Sequence, residues 1–450
     1  MKESSSQARS TWSSRWAFIL VTIGSSVGLG NIWKFPYMIG LQGGSAFVLV
    51  YLLCILLIAW PLFMAEILIG RRGGGNPVSA MATTLAECGA SRFWRVLGWV
   101  GILSALVILS FYGVVAGWVV DYLCKAIVGV RVETALEAKR AFDTLLGNPL
   151  QLAFWHTVFM VLTVGVVARG VVSGIELANK LMMPGLFLIL VGLVFWGAVA
   201  GDMPAALHFL FDVHFEAITP DVFLAAVGHA FFTLSLGMGA VMAYGSYLDK
   251  KTSIAGTSIW VVACDTLVGL LAGLAIFSLT FRYGLEPSEG PGLILQTLPL
   301  AFSNMPGGRV FGVLFFLLVT FAAWTSAISL LEPFVAWLIE SFGLRRATAA
   351  WGTGVAVWLL GIGVCLSFNA WSEYTLFGNN LFDVLDIATS RFSMPLSGVA
   401  IAVYVGWVMG KRIVAEEMRL PHGIFSVWFA VVRTLVPVAI ALVFLHAITG

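Results

Sequence analysis

The chain has 450 residues, of which 60% are hydrophobic and only 11% are charged. Because soluble domains keep about a quarter of their residues charged, this composition excludes an ordinary soluble protein. The formal net charge of +2 gives no indication of nucleic-acid binding. We therefore expect a lipid bilayer to surround most of the chain.

Eleven apolar stretches are each long enough to cross a bilayer as a helix, which takes roughly 20 residues. They lie near residues 15–39, 44–70, 96–124, 151–168, 175–200, 221–248, 255–281, 309–340, 348–368, 382–409 and 422–447. The pattern predicts an all-α polytopic membrane protein with eleven transmembrane helices. Basic residues concentrate in the loops on the side of the N terminus, which predicts a cytoplasmic N terminus and an extracellular or periplasmic C terminus.

The first and the sixth stretches are interrupted at their centres by residues that weaken a helix. The first contains TIGSSVGLGNIWKFP (22–36) and the sixth VGHAFFTLSLGMGAVMAYGSY (227–247). Unpaired backbone groups cost several kcal/mol each in hydrocarbon, so broken helices persist only beside a cavity within the protein. Half-helix ends there offer N–H groups to an anion and carbonyls to a cation. Close packing of helices is the alternative explanation, and it accounts less well for two matching breaks that both carry hydroxyls.

The matching positions of the two breaks predict a pair of five-helix repeats, residues 15–200 and 221–409. Because five is odd, the second repeat starts on the opposite side of the membrane, and the two are inverted. Residues 422–450 would form an eleventh helix outside the repeats. The expected site, for an anionic substrate and a metal cation, lies at the midplane between the repeats.

Three motifs together resemble the neurotransmitter:sodium symporter family, in particular its bacterial, amino-acid-coupled branch. They are GSSVGLGNIWKFPY, the following GGSAF, and FFTLSLGMGA in the sixth stretch. The resemblance covers nearly the whole chain and implies a LeuT-like 5+5 inverted repeat in the plasma membrane of a bacterium. It also implies Na⁺-coupled symport of an α-amino acid into the cell by alternating access. Eleven helices, where the family usually has twelve, are a departure that affects only the C-terminal packing.

The resemblance implies two sodium sites. The first would comprise a backbone carbonyl and three side chains, from Ser26, Asn31, Thr233 and Asp265. The second would comprise three carbonyls and two hydroxyls, from Gly24, Val27, Ala322, Thr325 and Ser326. An acid at membrane depth needs a partner, and Na⁺ would be the partner of Asp265. A protonated or arginine-paired structural aspartate is the alternative.

The resemblance also places a substrate pocket between the breaks. The amides of Leu29 and Gly30 and the hydroxyl of Tyr112 would face the substrate carboxylate. Gly28 leaves room for that carboxylate where monoamine-carrying members have Asp. The other expected contacts hold the amino group or shape the side-chain subsite: Ser25, Ser26, Ile108, Phe232, Thr233, Ser235, Met238, Ala327 and Leu330. Methionine adapts to large and irregular shapes, which favours a branched or aromatic hydrophobic amino acid.

Charged residues near the two mouths match the family's gates. Outside, Lys34 would pair with Asp386. Inside, a cytoplasmic N-terminal latch (residues 1–14) would close the mouth through Arg9, Trp12, Tyr247 and Glu340. Glu66 would bond backbone groups that are freed at the breaks.

Chloride-dependent relatives hold an anion near the first sodium site. This chain keeps Tyr51 and Thr233 from that set but has His229 for a Gln and Gly269 for a Ser. The carboxylate of Asp265 would replace the anion, so we expect chloride-independent transport.

Other functions are less consistent with the sequence. A channel would need a continuous polar path, whereas the polar residues gather at one depth, and the chain has no HExxH motif typical of a zinc enzyme. The nearest alternative is a Na⁺-independent amino acid exchanger of the same architecture. The oligomeric state is left open.

Overall fold

The computed structural model describes residues 12–285 and 293–449, and within these ranges the chain is almost entirely helical. We number eleven segments in chain order and give two of them in halves. They are α1a Arg15–Ser26 and α1b Gly30–Leu41, α2 Ser45–Gly73, α3 Arg92–Val128, α4 Pro149–Ala168, α5 Val171–Ala200, α6a Pro220–Thr233 and α6b Ala240–Ser246, α7 Ile254–Arg282, α8 Gly308–Phe342, α9 Arg346–Ser367, α10 Leu381–Val408 and α11 His422–Leu442.

Nine of these segments are long and apolar enough, within the described ranges, to cross a membrane, and the bent pair α1a–α1b would be a tenth. The halves of α6 have 14 and 7 residues and are separated by residues 234–239, so α6 does not qualify by length. The structure therefore supports nine or ten spans among the described residues, and a further span through α6 stays a prediction.

Short helices occupy several of the connections between the long segments. They are Pro77–Cys88, Ala135–Gly147, Met203–Phe211, Leu298–Asn304 and Lys411–Met418. In two of them, for example, the residue just before the helix caps it. The Asn76 side chain accepts hydrogen bonds from the amides of Val78 and Ser79, and that of Thr134 accepts one from the amide of Glu137. Such caps satisfy amides that have no partner within the helix.

The helical hydrogen bonding of α1 stops between Ser26 and Gly30, where Val27 is extended (φ −70°, ψ 105°) and the two halves meet at 50°. In α6, the residues between the halves include Ser235, Gly237 and Gly239, with φ values of 53°, 77° and 73°. Glycine adopts this left-handed backbone readily, whereas a serine is uncommon there. At both interruptions, backbone amides find partners outside the regular helix: that of Leu29 is bonded to Tyr112 and that of Gly237 to Glu66.

The backbones of α2 and α6b lie in direct contact. A side chain added at Gly70 would run into the backbone of Met242, and one added at Gly245 would meet the backbone of Ile67. Small residues allow such close approach of two helices within a membrane. The two glycines therefore hold α2 and α6b together at two levels.

Candidate functional site

A narrow cavity lies where the interruptions of α1 and α6 face α3 and α8. Its walls consist of Ser25, Ser26, Gly28, Leu29, Gly30, Ile108, Tyr112, Phe232, Ser235, Met238, Ser326 and Leu330. Ten of these residues were expected to contact substrate. The other two are Gly28, which belongs to the motif in the first stretch, and Ser326, which was expected at the second sodium site. Two further expected residues lie outside these walls: Thr233 is bonded to Asp265, and Ala327 is buried within α8.

Polar groups gather at one end of the cavity. The amide of Leu29 donates a hydrogen bond to the Tyr112 hydroxyl over 3.3 Å. A Cβ atom on Gly28 would lie 3.0 Å from that hydroxyl and would collide with the hydroxyl of Ser326. The absence of a side chain at residue 28 therefore keeps space open beside an amide and two hydroxyls. An anionic group such as a carboxylate would find hydrogen-bond donors there.

The opposite part of the cavity is mostly apolar. Ile108, Met238 and Leu330 are each no more than 3% exposed. Phe232 completes this part, and the ammonium group of Lys34 lies 4.3 Å from the centre of its ring. This arrangement suits a hydrophobic side chain.

The side chains expected at the first sodium site are bonded to one another. Asn31 donates to the Asp265 carboxylate over 2.8 Å, and the hydroxyl of Thr233 lies 3.1 and 3.0 Å from its two oxygens. The Asn31 side-chain oxygen accepts from the amide of Gly28 over 3.0 Å, which fixes the orientation of the Asn31 amide. Asp265 is fully buried and belongs to none of the ion pairs among the described residues.

The oxygens expected at the second sodium site also lie close together, between α1a and α8. The Ser326 hydroxyl is 3.4 Å from the Gly24 carbonyl and 3.3 Å from the Val27 carbonyl. The Thr325 hydroxyl is 3.1 Å from the Ala322 carbonyl. A hard cation prefers oxygen ligands of this kind, so both clusters fit Na⁺.

At the expected inner gate, the Trp12 indole donates to the Tyr244 carbonyl over 3.3 Å and packs edge-on against the rings of Tyr244 and Tyr247. The Glu340 carboxylate accepts hydrogen bonds from the backbone amide and side chain of Asn76, at 3.1 and 2.7 Å. Arg9, the other expected member of the latch, lies outside the described residues.

Two carboxylates near the expected inner gate were not identified in the sequence analysis. Glu332 is fully buried, pairs with Arg346 and accepts a hydrogen bond from the Tyr247 hydroxyl over 3.2 Å. Glu176 accepts from Ser13 and lies 2.5 Å from the Lys180 ammonium group. Both acids interrupt apolar stretches, and the cost of an acid at membrane depth is the signal that could have identified them.

The expected outer pair is not formed in this structure. The ammonium group of Lys34 is placed over Phe232, and Asp386 accepts a hydrogen bond from Ser390 over 2.7 Å. The cation–π contact gives the ammonium group another favourable position. Neither residue takes part in an ion pair with the other among the described residues.

Glu66 lies at the interruption of α6. Its carboxylate accepts a hydrogen bond from the Gly237 amide over 2.7 Å and is fully buried. This amide is one of the backbone groups freed by the interruption, which is the role expected for Glu66 from the resemblance.

Aromatic rings surround His229, the residue that the resemblance matches to a glutamine of chloride-dependent relatives. The imidazole stacks on Phe35, with ring centres 5.2 Å apart, and lies near Phe47 and Tyr51. A Cβ atom on Gly269 would be 3.0 Å from the Phe35 ring. The space beside Gly269 is therefore filled by an aromatic side chain.

Interrupted helices that face a buried cavity beside clustered oxygen atoms are typical of secondary transporters. The model of the sodium:neurotransmitter symporter family matches residues 9–132 and 139–450, and the chain belongs to this family. Members of the family are transporters, and the relatives of this chain are sodium-dependent.

Three similar proteins illustrate the relationship. The uncharacterized sodium-dependent transporter YhdH of Bacillus subtilis is 37% identical over 442 residues, 97% of both chains. The crystal structure of MhsT in complex with L-phenylalanine matches this chain with a TM-score of 0.90 and 41% sequence identity. The match covers 98% of this chain and 100% of the MhsT chain. The sodium-dependent neutral amino acid transporter SLC6A17 of Rattus norvegicus is 29% identical over 320 residues, 62% of this chain and 41% of the relative.

Proposed function

We propose that the protein carries a hydrophobic α-amino acid into the cell together with Na⁺, by alternating access and without a requirement for chloride. The observation that carries this proposal is the cluster of Asp265, Asn31 and Thr233 next to the cavity. Asn31 also binds the amide of Gly28, the residue that leaves space beside Tyr112. One Na⁺ between the carboxylate of Asp265 and that of the substrate would couple the two binding events.

The two ends of the cavity favour an amino acid as substrate. The Leu29 amide and the hydroxyl of Tyr112 would bind its carboxylate, and Ser25 would help to hold its amino group. The apolar walls favour a branched or aromatic side chain. The complex of the similar protein MhsT with L-phenylalanine supports this choice of substrate class. Since the cavity is narrow, Phe232 and Met238 would have to shift when a large side chain enters.

The pattern of contacts at the mouths is consistent with alternating access between two inverted repeats, residues 15–200 and 221–409. Trp12 and the Glu332–Arg346 pair would close the cytoplasmic side, whereas Lys34 and Asp386 would close the outer side in another conformation. Opening one mouth while the other stays closed would move the substrate and the ions from outside to inside. The N terminus would be cytoplasmic in this arrangement.

The decisive experiment measures uptake of each of the twenty amino acids into proteoliposomes that contain the purified protein. We expect accumulation of a hydrophobic amino acid under an inward Na⁺ gradient and none when K⁺ replaces Na⁺. Exchange of internal for external amino acid at equal rates in Na⁺ and K⁺ would instead identify a Na⁺-independent exchanger. No uptake or binding of any amino acid would refute the substrate class.

The Tyr112→Phe variant is expected to bind its amino acid about ten- to a hundredfold more weakly. A hydrogen bond to a charged group contributes roughly 1.5–3 kcal/mol, and the variant would lose the one proposed to reach the substrate carboxylate. Equilibrium binding of radiolabelled substrate at saturating Na⁺ measures the change. Tyr122→Phe is a matched control, because Tyr122 is buried in the same helix α3, with its hydroxyl unbonded in the described part of the chain. An unchanged dissociation constant for Tyr112→Phe would remove this residue from the pocket.

Replacement of chloride by gluconate is expected to leave Na⁺-driven uptake unchanged at pH 7 to 8. An anion beside the buried carboxylate of Asp265 would place two negative charges together in a low dielectric, which is unfavourable by several kcal/mol. The ring of Phe35 beside Gly269 and His229 also offers little space for an anion. A several-fold loss of the uptake rate would contradict this expectation.

A double variant provides the converse test of chloride independence. Asp265→Asn removes the fixed charge, and Gly269→Ser supplies a hydroxyl of the kind found in chloride-dependent relatives. We expect this variant to be slower than the unaltered protein and its remaining uptake to increase when chloride is added. Equal uptake with and without chloride would contradict the proposed replacement of the anion by Asp265.

A further inference from the structure

Asn179 is a buried polar residue that the transport scheme above leaves without a role. It lies in α5 and is 1% exposed. Its side-chain nitrogen donates to the Ile175 carbonyl over 2.9 Å, which determines which end of the amide is the oxygen. That oxygen, Oδ1, has no hydrogen-bond partner among the described residues. A buried carbonyl oxygen without a partner costs free energy, so a ligand that supplies one is expected nearby.

The oxygen of Asn179 points towards the second sodium cluster. A Cβ atom on Gly24 would collide with it, and the same Cβ would be 3.2 Å from Cβ of Thr325. Gly24 and Thr325 both belong to this cluster, whose expected members all come from α1 and α8. Asn179 thus approaches the cluster from a third helix, α5. Only a glycine at residue 24 leaves space for this approach.

We propose that Asn179 is a further sodium-positioning residue, whose Oδ1 supplies an oxygen to the ion at the second cluster, directly or through one bound water. The inference rests on the proposed Na⁺ coupling and adds to it a residue outside α1 and α8. Asn179 lies three residues after Glu176, which is bonded to Ser13 at the inner mouth. The extra oxygen would therefore come from the part of α5 that adjoins the expected cytoplasmic latch.

The test compares the Na⁺ response of purified variants without substrate. The melting temperature is measured over a series of Na⁺ concentrations at constant ionic strength, with choline as the replacing cation. Asn179→Leu keeps most of the side-chain volume and removes the oxygen, and we expect it to need several-fold more Na⁺ for half-maximal stabilisation. Asn179→Asp keeps an oxygen in place, and we expect it to respond at Na⁺ concentrations no higher than the unaltered protein does.

A merely structural role for Asn179 gives a different pattern. In that case Asn179→Leu would have a lower melting temperature in choline, but the Na⁺ concentration for half-maximal stabilisation would be unchanged. This result would overturn the inference. Equal weakening in Asn179→Asp and Asn179→Leu would also overturn it. Asn369→Leu is the control, because Asn369 likewise donates to the carbonyl four residues earlier, over 3.0 Å, and also to the Leu146 carbonyl between α3 and α4. Its side-chain oxygen already has a partner, the Ala370 amide, at 2.7 Å.

The same measurement separates this inference from the proposed function. If the unaltered protein gains no stability from Na⁺, the proposed coupling fails and the role of Asn179 fails with it. If the unaltered protein responds to Na⁺ and Asn179→Leu responds identically, the inference about Asn179 is wrong and the coupling stands.

Discussion

Replacing Asp265 by alanine is expected to abolish Na⁺-driven uptake and to weaken binding of both Na⁺ and the amino acid at least a hundredfold. The carboxylate is fully buried and accepts hydrogen bonds from Asn31 and Thr233. Removing one member of a buried charged pair costs about 3–5 kcal/mol, and about 1.4 kcal/mol corresponds to a factor of ten. Because the substrate carboxylate is proposed to share the ion with Asp265, each ligand raises the affinity for the other by the same factor, so loss of this coupling weakens the binding of both.

Two measurements establish whether this coupling exists. Substrate affinity is determined at several Na⁺ concentrations, and Na⁺ affinity at several substrate concentrations, for the unaltered protein and for Asp265→Ala. The matched control is Asp121→Asn, since Asp121 is another buried carboxylate but lies 2.7 Å from the ammonium group of Lys125. Normal substrate binding by Asp265→Ala in the absence of Na⁺ would show that the assignment of the first sodium site is wrong.

The Arg346→Ala variant is expected to shift the protein strongly towards conformations with an open inner mouth. Arg346 donates two hydrogen bonds to the fully buried Glu332 carboxylate, one of them over 3.2 Å. It also donates to the Val167 carbonyl over 2.8 Å. Without the guanidinium group, the closed mouth would hold an unpaired buried charge, which costs about 3–5 kcal/mol. Opening the mouth to water would remove that cost, so the open population should rise at least a hundredfold relative to the closed one.

Labelling of a single cysteine detects this shift. The five native cysteines are replaced, Ser246→Cys is introduced at the end of α6b, and the rate of reaction with a membrane-impermeant maleimide is measured from the inner side. We expect faster labelling in Arg346→Ala. A second change, Glu332→Gln, removes the stranded charge and should return the rate most of the way to that of the unaltered protein. A rate for Arg346→Ala that equals the unaltered rate, or no return in the double variant, would exclude this role for the pair.

The long helices could be predicted from the sequence because lipid imposes a simple requirement on composition and length. The stretches predicted at 96–124 and 309–340 correspond to α3, Arg92–Val128, and α8, Gly308–Phe342. The short helix Met203–Phe211 could not be separated from its neighbouring loops, since it is too short for the length criterion. In α6 the structure has its interruption where the sequence predicts one, because residues 234–239 include left-handed backbone at Ser235, Gly237 and Gly239. Neither half of α6 alone reaches the length of a span.

The candidate site was predictable where one motif carries several ligands, and less so where partners are distant in sequence. The stretch from Gly24 to Asn31 supplies groups to the cavity and to both oxygen clusters, so its residues could be placed together. The pairing of Glu332 with Arg346 depends on how the end of α8 meets the start of α9. The approach of Asn179 to Gly24 likewise depends on helix packing, which hydropathy does not encode. A single sequence also leaves open which of the two mouths is closed.

The backbone contact between α2 and α6b limits the number of independent motions available to the transporter. Contacts at Gly70 and at Gly245 restrain both the spacing and the mutual rotation of the two helices. A rotation or a one-turn slide of α6b would therefore have to carry the 29-residue α2 with it. Residues 234–239 connect the two halves of α6, so a movement of α6b relative to α6a would have to change the backbone of these residues. A larger side chain at residue 70 or 245 would separate α2 from α6b, so that the two helices could move independently. Because the cavity itself would be unchanged, we expect turnover to fall while ligand binding is retained.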